Sequence, residues 1–308
     1  MPKLSMTFAC GLYDRMTALC TGEVKADGID LNFIAVHHPR DLFDRMVGGL
    51  EFDASELSLS EYVTRYAAGQ CPFVALPVFP SRMFRHGFIA VDSRVIREPK
   101  DLEGKRVGVQ LYTMTAAIWI RGLLQHDHGV DLSTIQWVEG AMESPKPHGQ
   151  PTVLPPLKPV TIVANTSGKS LSQLLDAGEI QAVIGADLPG CFGKSAHIKR
   201  LFPDFREAEK AYYRRTGIFP IMHLVVLQKD FHEKHPFAAT SLFNALSESK
   251  ALATSGCAIS ARCATCCRGC RPSSTRSRRC LAAIPGPTVS SRTGARWRRW
   301  CSSWSISP

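Results

Sequence analysis

Acidic residues are missing from the last 55 residues of this 308-residue chain, and so are lysine and histidine. From Thr254 to Pro308 ten arginines are the only charged side chains, and they equal the whole net charge of +10. The first 253 residues therefore hold 27 cationic and 27 anionic side chains. A balanced body lacks the basic face that nucleic-acid binding requires. Cysteine is scarce there too: Cys10, Cys20, Cys71 and Cys191, against seven beyond Thr254. Four scattered thiols make no disulfide framework and fit a reducing compartment. No apolar run reaches the roughly 20 residues of a membrane span. The first fifteen residues lack the apolar core of a signal peptide, so a cytoplasmic location is expected. There is no glycine-rich phosphate loop and no Gly-x-Ser-x-Gly elbow.

The tail admits two readings. Cys263, Cys266 and Cys270 have partly zinc-like spacing, but no histidine and no second ligand pair accompany them. The other reading is translation in a displaced frame of a GC-rich gene. Back-translated with GC-rich codons and read from the third base, Gly256–Arg271, Arg279–Pro287 and Arg296–Ser307 each yield ordinary protein sequence. The last becomes an amphipathic helix with acidic residues. Residues 254–308 are thus expected to be aberrant, poorly packed and without a native role.

The body alternates strand and helix signals. Leu4–Ala9, Ile29–Val36, Phe52–Glu56, Phe73–Val78 and Gly87–Val91 read as strands, with helices at Asp41–Val47 and Ser58–Ala68. A second cycle follows: strand Arg106–Val109, helix Thr113–His126, strand Ile135–Val138, and a loop over Gly140–Pro159 with six prolines. Helix Ser170–Ala177, a strand from Glu179, strand Phe219–Leu227 and helix Pro236–Lys250 complete it. Such alternation predicts an α/β fold with open, mostly parallel sheets covered by helices on both faces. Two cycles with a return crossing predict two lobes around a central cleft, residues 1–104 with 225–253 in the first and 105–224 in the second. Ligands in open α/β sheets lie at the carboxyl ends of strands. That rule gathers Gly11–Arg15, Ser55–Glu56, Pro80–Arg82, Tyr112–Thr115 and Asp187–Pro189 at one mouth.

Several strings, in order along nearly the whole body, resemble the 4,5-dihydroxyphthalate decarboxylase family. They include Tyr13-Asp14-Arg15, Gly28–Leu31, Phe52–Glu56, Phe79–Arg82 with Phe84-Arg85-His86, Gly104–Gly108, Trp119–Gly122, Leu201–Asp204, Tyr212–Arg214 and Thr216–His223. The resemblance implies a fold like the type II periplasmic binding proteins. It implies a carboxy-lyase that converts 4,5-dihydroxyphthalate, or a close aromatic dicarboxylate, to 3,4-dihydroxybenzoate and CO2 in phthalate degradation. Gly87 departs from the pattern, standing where serine is expected. The altered end departs further and is expected to cost stability or activity.

The implied reaction needs an electron sink for the breaking C–C bond. A ring hydroxyl para to the departing carboxylate supplies one without a cofactor or metal, once a base removes its proton and an acid protonates the ring carbon. Arg82 and Arg85 are candidates to clamp the carboxylates bidentately, with Arg15 as a third. His86 and His223 are candidate acid/base groups. His86, beside two arginines, is expected to have a lowered pKa and serve as the base. Glu56 and Asp187 could orient a histidine or donate a proton; their ordinary alternatives are a helix cap and a solvated turn. Tyr13 could stack on or hydrogen-bond the ring, while Tyr112 and Thr115 could offer a helix N-terminus to an anion. His126, Asp127 and His128 resemble a metal cluster but end a helix, where solvated polar residues are usual. Lys194, His197, Lys199 and Arg200 read as a solvated basic face. The partner expected is a small aromatic dicarboxylate, with no nucleic acid and no membrane, and homo-oligomerisation is left open. The alternative function is a non-catalytic solute-binding protein for an aromatic carboxylate.

Overall fold

The computed structural model describes residues 2–145 and 160–263, with side chains to Thr254. Most of the proline-rich loop and the tail beyond Cys263 lie outside the described residues, and with them the zinc-like cysteine spacing and most of the expected poor packing.

Two sheets carry the molecule. The first has the order β2-β1-β3-β11-β4, built from β1 (Leu4–Cys10), β2 (Ile29–Ala35), β3 (Ala54–Ser58), β4 (Phe73–Arg82) and β11 (Ile221–Gln228). β1 runs parallel to β2 and β3, and β11 lies antiparallel between β3 and β4. The second has the order β10-β5-β9-β6-β7-β8, from β5 (Ile89–Asp92), β6 (Arg106–Val109), β7 (Gln136–Glu139), β8 (Ile162–Ala164), β9 (Ala182–Ile184) and β10 (Ile198–Arg200). β6, β7, β8 and β9 pair in parallel, while β5 opposes β9 and β10.

Helices cover both faces of each sheet. On the first, α1 (Thr17–Cys20) and α8 (Phe237–Cys263) pack one face; α2 (Pro39–Gly49) and α3 (Leu59–Ala67) pack the other. Side chains of successive β1 residues alternate between them: Phe8 and Cys10 meet the α8 side, and Ala9 the α2 side. Ala238, Leu242, Ala245 and Leu246 form the buried stripe of α8 at helical spacing. In the second lobe α4 (Thr115–His128) is stopped by Gly129 at φ 64°, and α5 (Leu171–Asp176) starts with a Ser170–Gln173 capping box. Trp137, Ile120 and Leu124 are fully buried there, each contributing about 1.5–3 kcal/mol by burial. α6 (Phe205–Thr216) leads into the return crossing, and the short α7 (Lys229–Lys234) follows β11.

The chain crosses between sheets after Arg82 and returns before Ile221. Both crossings fall earlier than the expected 104/105 and 224/225 boundaries. The apolar run at Ile89–Asp92 reads like its predecessor in sequence, yet it pairs with β9, about ninety residues downstream. The two crossings are tied together by Met83 N–H donating to Pro220 O at 2.9 Å. Further links join the lobes. Trp119 Nε1–H on α4 donates to Ile221 O at 3.0 Å. The hydroxyl of Thr115 lies 2.9 Å from Ser58 Oγ and accepts from Ser60 N–H at 3.1 Å, all buried.

Candidate active site

The candidate site is built on the carboxyl end of β1 and the facing stretch of β3 and β11. In the β3–β11 register Glu56 sits opposite Val225, two residues from His223, so both side chains occupy the same face as diagonal neighbours. His223 Nδ1 lies 2.6 Å from Glu56 Oε1. The same oxygen accepts from Tyr13 OH at 2.7 Å. Oε2 accepts from Gly11 N–H at 2.9 Å and from the Cys10 thiol at 3.3 Å. Glu56 is 0% exposed and His223 18%. Burial alone would raise the Glu56 carboxyl. The hydrogen bond and charge of His223, then the Gly11 and Tyr13 bonds, outweigh it and hold the group down at about 2. An ionised carboxylate can only accept, so Nδ1 of His223 carries a hydrogen and faces Glu56, which leaves Nε2 on the far side of the ring for a ligand proton. The Phe43 and His223 rings meet nearly at right angles with centroids 5.1 Å apart. Burial and then the Glu56 charge push the Tyr13 phenol and the Cys10 thiol well up, so both serve Glu56 as donors.

Arg15 closes one side. Its guanidinium carbon stands 4.4 Å from the Tyr13 ring centroid. Nε–H donates to Pro80 O at 2.8 Å, Nη2–H donates to the same carbonyl, and Nη1 pairs with Asp14 at 3.0 Å. Pro80 can present this carbonyl because the β4–β11 register breaks there. Leu76 faces Val225 but Ser81 already faces His223, so Pro77–Pro80 bulge out of the ladder. Arg82 follows at the end of β4, its guanidinium 5.7 Å from the Phe79 ring and 5.2 Å from Phe219.

Several expected members do not join this group. Arg85 points the other way along the crossing, donating to Ala186 O at 3.0 Å and to Met222 Sδ at 3.2 Å. Burial lowers it to about 10, against the pull of Asp187 and Glu209. Asp187 is an exposed residue after β9, near Arg85 and not part of the Glu56–His223 group. His86 is buried between Phe202 and Tyr212, with ring centroids at 5.8 and 5.5 Å. Its pKa is lowered to about 4, as expected in direction but by burial first; Asp127 opposes, and His128 and Arg215 add to the lowering. The adjacent arginines are not the cause. Tyr112 belongs to the second core, stacked edge-on to Trp137 at 5.4 Å with Arg121 3.6 Å from its ring centroid. Thr115 is spent in the hydroxyl cluster with Ser58 and Ser60. Tyr112 N–H donates to Glu139 Oε2 at 2.9 Å. Asp127 pairs with Arg215 at 2.8 Å. Among the described residues no group of three or more His, Cys, Asp and Glu side chains is placed to hold a metal ion. The basic run Lys194–Arg200, expected as a solvated face, lines a depression of about 340 Å³ with Phe192 and Pro203.

Two contributors, Cys10 and Phe43, escaped the sequence reading, whereas Gly11 was among the residues placed at the mouth. The available signal for Cys10 was its position as the last residue of the first strand, where the mouth begins.

Two mixed sheets, crossed twice by the chain and joined beside a buried ionic site, give the periplasmic-binding-protein-like fold. The periplasmic aliphatic sulphonate binding protein SsuA from Escherichia coli superposes with a TM-score of 0.50 at 14% identity, over 83% of this chain and 76% of that one. No family model matches the sequence. Among curated proteins, a 4,5-dihydroxyphthalate decarboxylase from Comamonas testosteroni is 41% identical over 255 residues, 82% of this chain and 77% of that one. One from Pseudomonas putida is 38% identical over 218 residues, 70% of this chain and 83% of that one. The chain belongs to the 4,5-dihydroxyphthalate decarboxylase family.

Proposed function

We propose that this chain decarboxylates 4,5-dihydroxyphthalate, or a close aromatic dicarboxylate, to 3,4-dihydroxybenzoate and CO2. The observation that carries the reading is the His223–Glu56 pair, a histidine with its tautomer set by a buried carboxylate, flanked by Arg15 and Arg82. Nε2 of His223 takes the proton of the ring hydroxyl para to the departing carboxylate. A proton then adds to the ring carbon that bears this carboxylate, giving a dienone. The C–C bond breaks, CO2 leaves, and the bonding pair returns through the ring to the oxygen as phenolate. Reprotonation of the phenolate restores the catechol, so one proton from solvent is consumed overall. Glu56 supports the imidazolium that forms, much as a buried acid supports histidine in other proton-transfer sites. Arg15 and Arg82 offset the substrate's negative charge.

The test is incubation of the full chain with 4,5-dihydroxyphthalate, following CO2 release and the catechol product. Release that is abolished in His223→Gln supports the reading. Tight binding with no CO2 release sinks it and favours the solute-binding alternative, to which the likeness to SsuA lends support.

We also read residues 254–308 as the product of a displaced frame. The 255 residues aligned to the Comamonas relative agree with the length ahead of the composition break. Resequencing the gene across the codons for Ala251 to Gly256 decides this; an intact frame there overturns it.

A further inference from the structure

β6 and β9 run side by side in parallel, and their register ends at Val109 opposite Ile184. The next residues, Gln110 and Gly185, stand just past the carboxyl ends of the two strands. The chain leaves β6 through α4 for β7 on one side, and leaves β9 for β10 on the other, beyond β5. Open α/β sheets take ligands at such a reversal of strand order. Gln110 is only 6% exposed, and its Oε1 is sealed from solvent with no hydrogen-bond donor among the described residues. A buried carbonyl without a partner is costly and uncommon. The glycine opposite makes room for it: a Cβ at Gly185 would stand 2.9 Å from that oxygen and 3.7 Å from Met142 Cε. One guanidinium ties this place to the dyad. Arg85 donates to Ala186 O, beside Gly185, at 3.0 Å, and to Met222 Sδ, beside His223, at 3.2 Å. An amide oxygen accepts, so what it lacks is a donor. Ionised carboxylates offer none, whereas ring hydroxyls do. The last torsion of a glutamine is broad, so the carbonyl can turn toward an incoming hydroxyl.

We propose that Gln110 is a specificity-determining residue whose amide carbonyl accepts a hydrogen bond from a ring hydroxyl of the aromatic acid, so that the second lobe selects hydroxylated rings. This rests on the reading of the site as one for a dihydroxylated aromatic carboxylate, and it adds a residue from the sheet that does not carry the dyad.

3,4-Dihydroxybenzoate and benzoate are the probes: the first is the end product of the proposed reaction, and the second is the same acid without hydroxyls. Calorimetric titration of the full chain should show 3,4-dihydroxybenzoate binding at least about tenfold more tightly than benzoate. Gln110→Met, close in shape but without the amide, should lose about tenfold for 3,4-dihydroxybenzoate and leave benzoate unchanged. Gly185→Ala keeps Gln110 but crowds its carbonyl, and should lose affinity in the same selective way. Removing an unpaired buried carbonyl should leave the urea midpoint of Gln110→Met equal to that of the wild type or higher. A wild-type affinity ratio in either variant, a wild-type chain with no preference, or a lower urea midpoint in Gln110→Met overturns the proposal. The readout is independent of CO2 release. A Gln110-dependent preference without decarboxylation of 4,5-dihydroxyphthalate would sink the catalytic reading alone, and decarboxylation without the preference would sink this one alone.

Discussion

His223 Nδ1 and Glu56 Oε1 stand 2.6 Å apart across two antiparallel strands, and the carboxylate is completely buried while the imidazole is not. The pair is therefore asymmetric: one member is locked, and the other keeps part of its surface open. Replacing Glu56 by Gln keeps the shape but removes the charge that steadies the imidazolium. It also points an amide N–H₂ at some of the donors that now meet a carboxylate. We expect kcat to fall on the order of 10²–10⁴-fold and stability to fall by about 2–4 kcal/mol. Steady-state kinetics and urea unfolding of Glu56→Gln check both. A variant with wild-type kcat would remove the dyad from the mechanism.

Acid should unfold the protein in two stages. His86 has an ordinary value of 6.5 and is lowered to about 4 by burial, so the unfolded chain takes up a proton that the folded one refuses. Its contribution is present above 6.5 and lost as pH falls towards 4. Glu56 is lowered from 4.5 to about 2, so its contribution is present above 4.5 and lost as pH falls towards 2. His86→Phe, which suits the aromatic surroundings, should flatten the upper stage and leave turnover at neutral pH unchanged. Glu56→Gln should flatten the lower stage. Unfolding free energies measured from pH 7 to 3 test the assignment.

Gly87 is expected to resist the serine that the family resemblance led us to look for. A Cβ there would meet Phe205 Cδ2 at 2.7 Å, closer than such atoms pack. Gly87→Ser should destabilise by about 1–3 kcal/mol through overpacking. Adding Phe205→Leu should return most of the loss. Thermal unfolding of the single and double variants measures it, and additive losses would show that Phe205 is not the obstacle.

Thr115→Val probes the joint between the lobes. The substitution keeps the volume but leaves Ser60 N–H and the Ser58 hydroxyl with a lost partner in a buried place. A cost of about 1–3 kcal/mol follows, readable in urea unfolding. No change would mean that the cluster is hydrated and contributes little.

Much of this was legible in the amino-acid order. β6 over Arg106–Val109 fell where apolar alternation placed it, and α4 and α5 fell within two residues of their expected bounds. Glu56, Tyr13 and Arg15 were named at or just beyond strand ends, and His223 for its imidazole. Their grouping was not legible, because it depends on register between β3 and β11, segments 167 residues apart. His86 and Arg85 show the converse. Adjacent in sequence and chemically suggestive, they diverge because the crossing segment turns one toward α6 and the other toward Ala186. Tyr112 looked like a ligand-facing residue but its ring found Trp137, a partner 25 positions on that no local pattern announces.

β4 is the outermost strand of its sheet, and two of its ten residues, Pro77 and Pro80, lack an amide hydrogen. A strand from another molecule that tried to dock along this rim would meet missing donors and a kinked backbone. The irregularity that delivers the Pro80 carbonyl to Arg15 thus also guards the rim against intermolecular strand addition. A single local defect in the ladder serves ligand chemistry inside the molecule and solubility outside it.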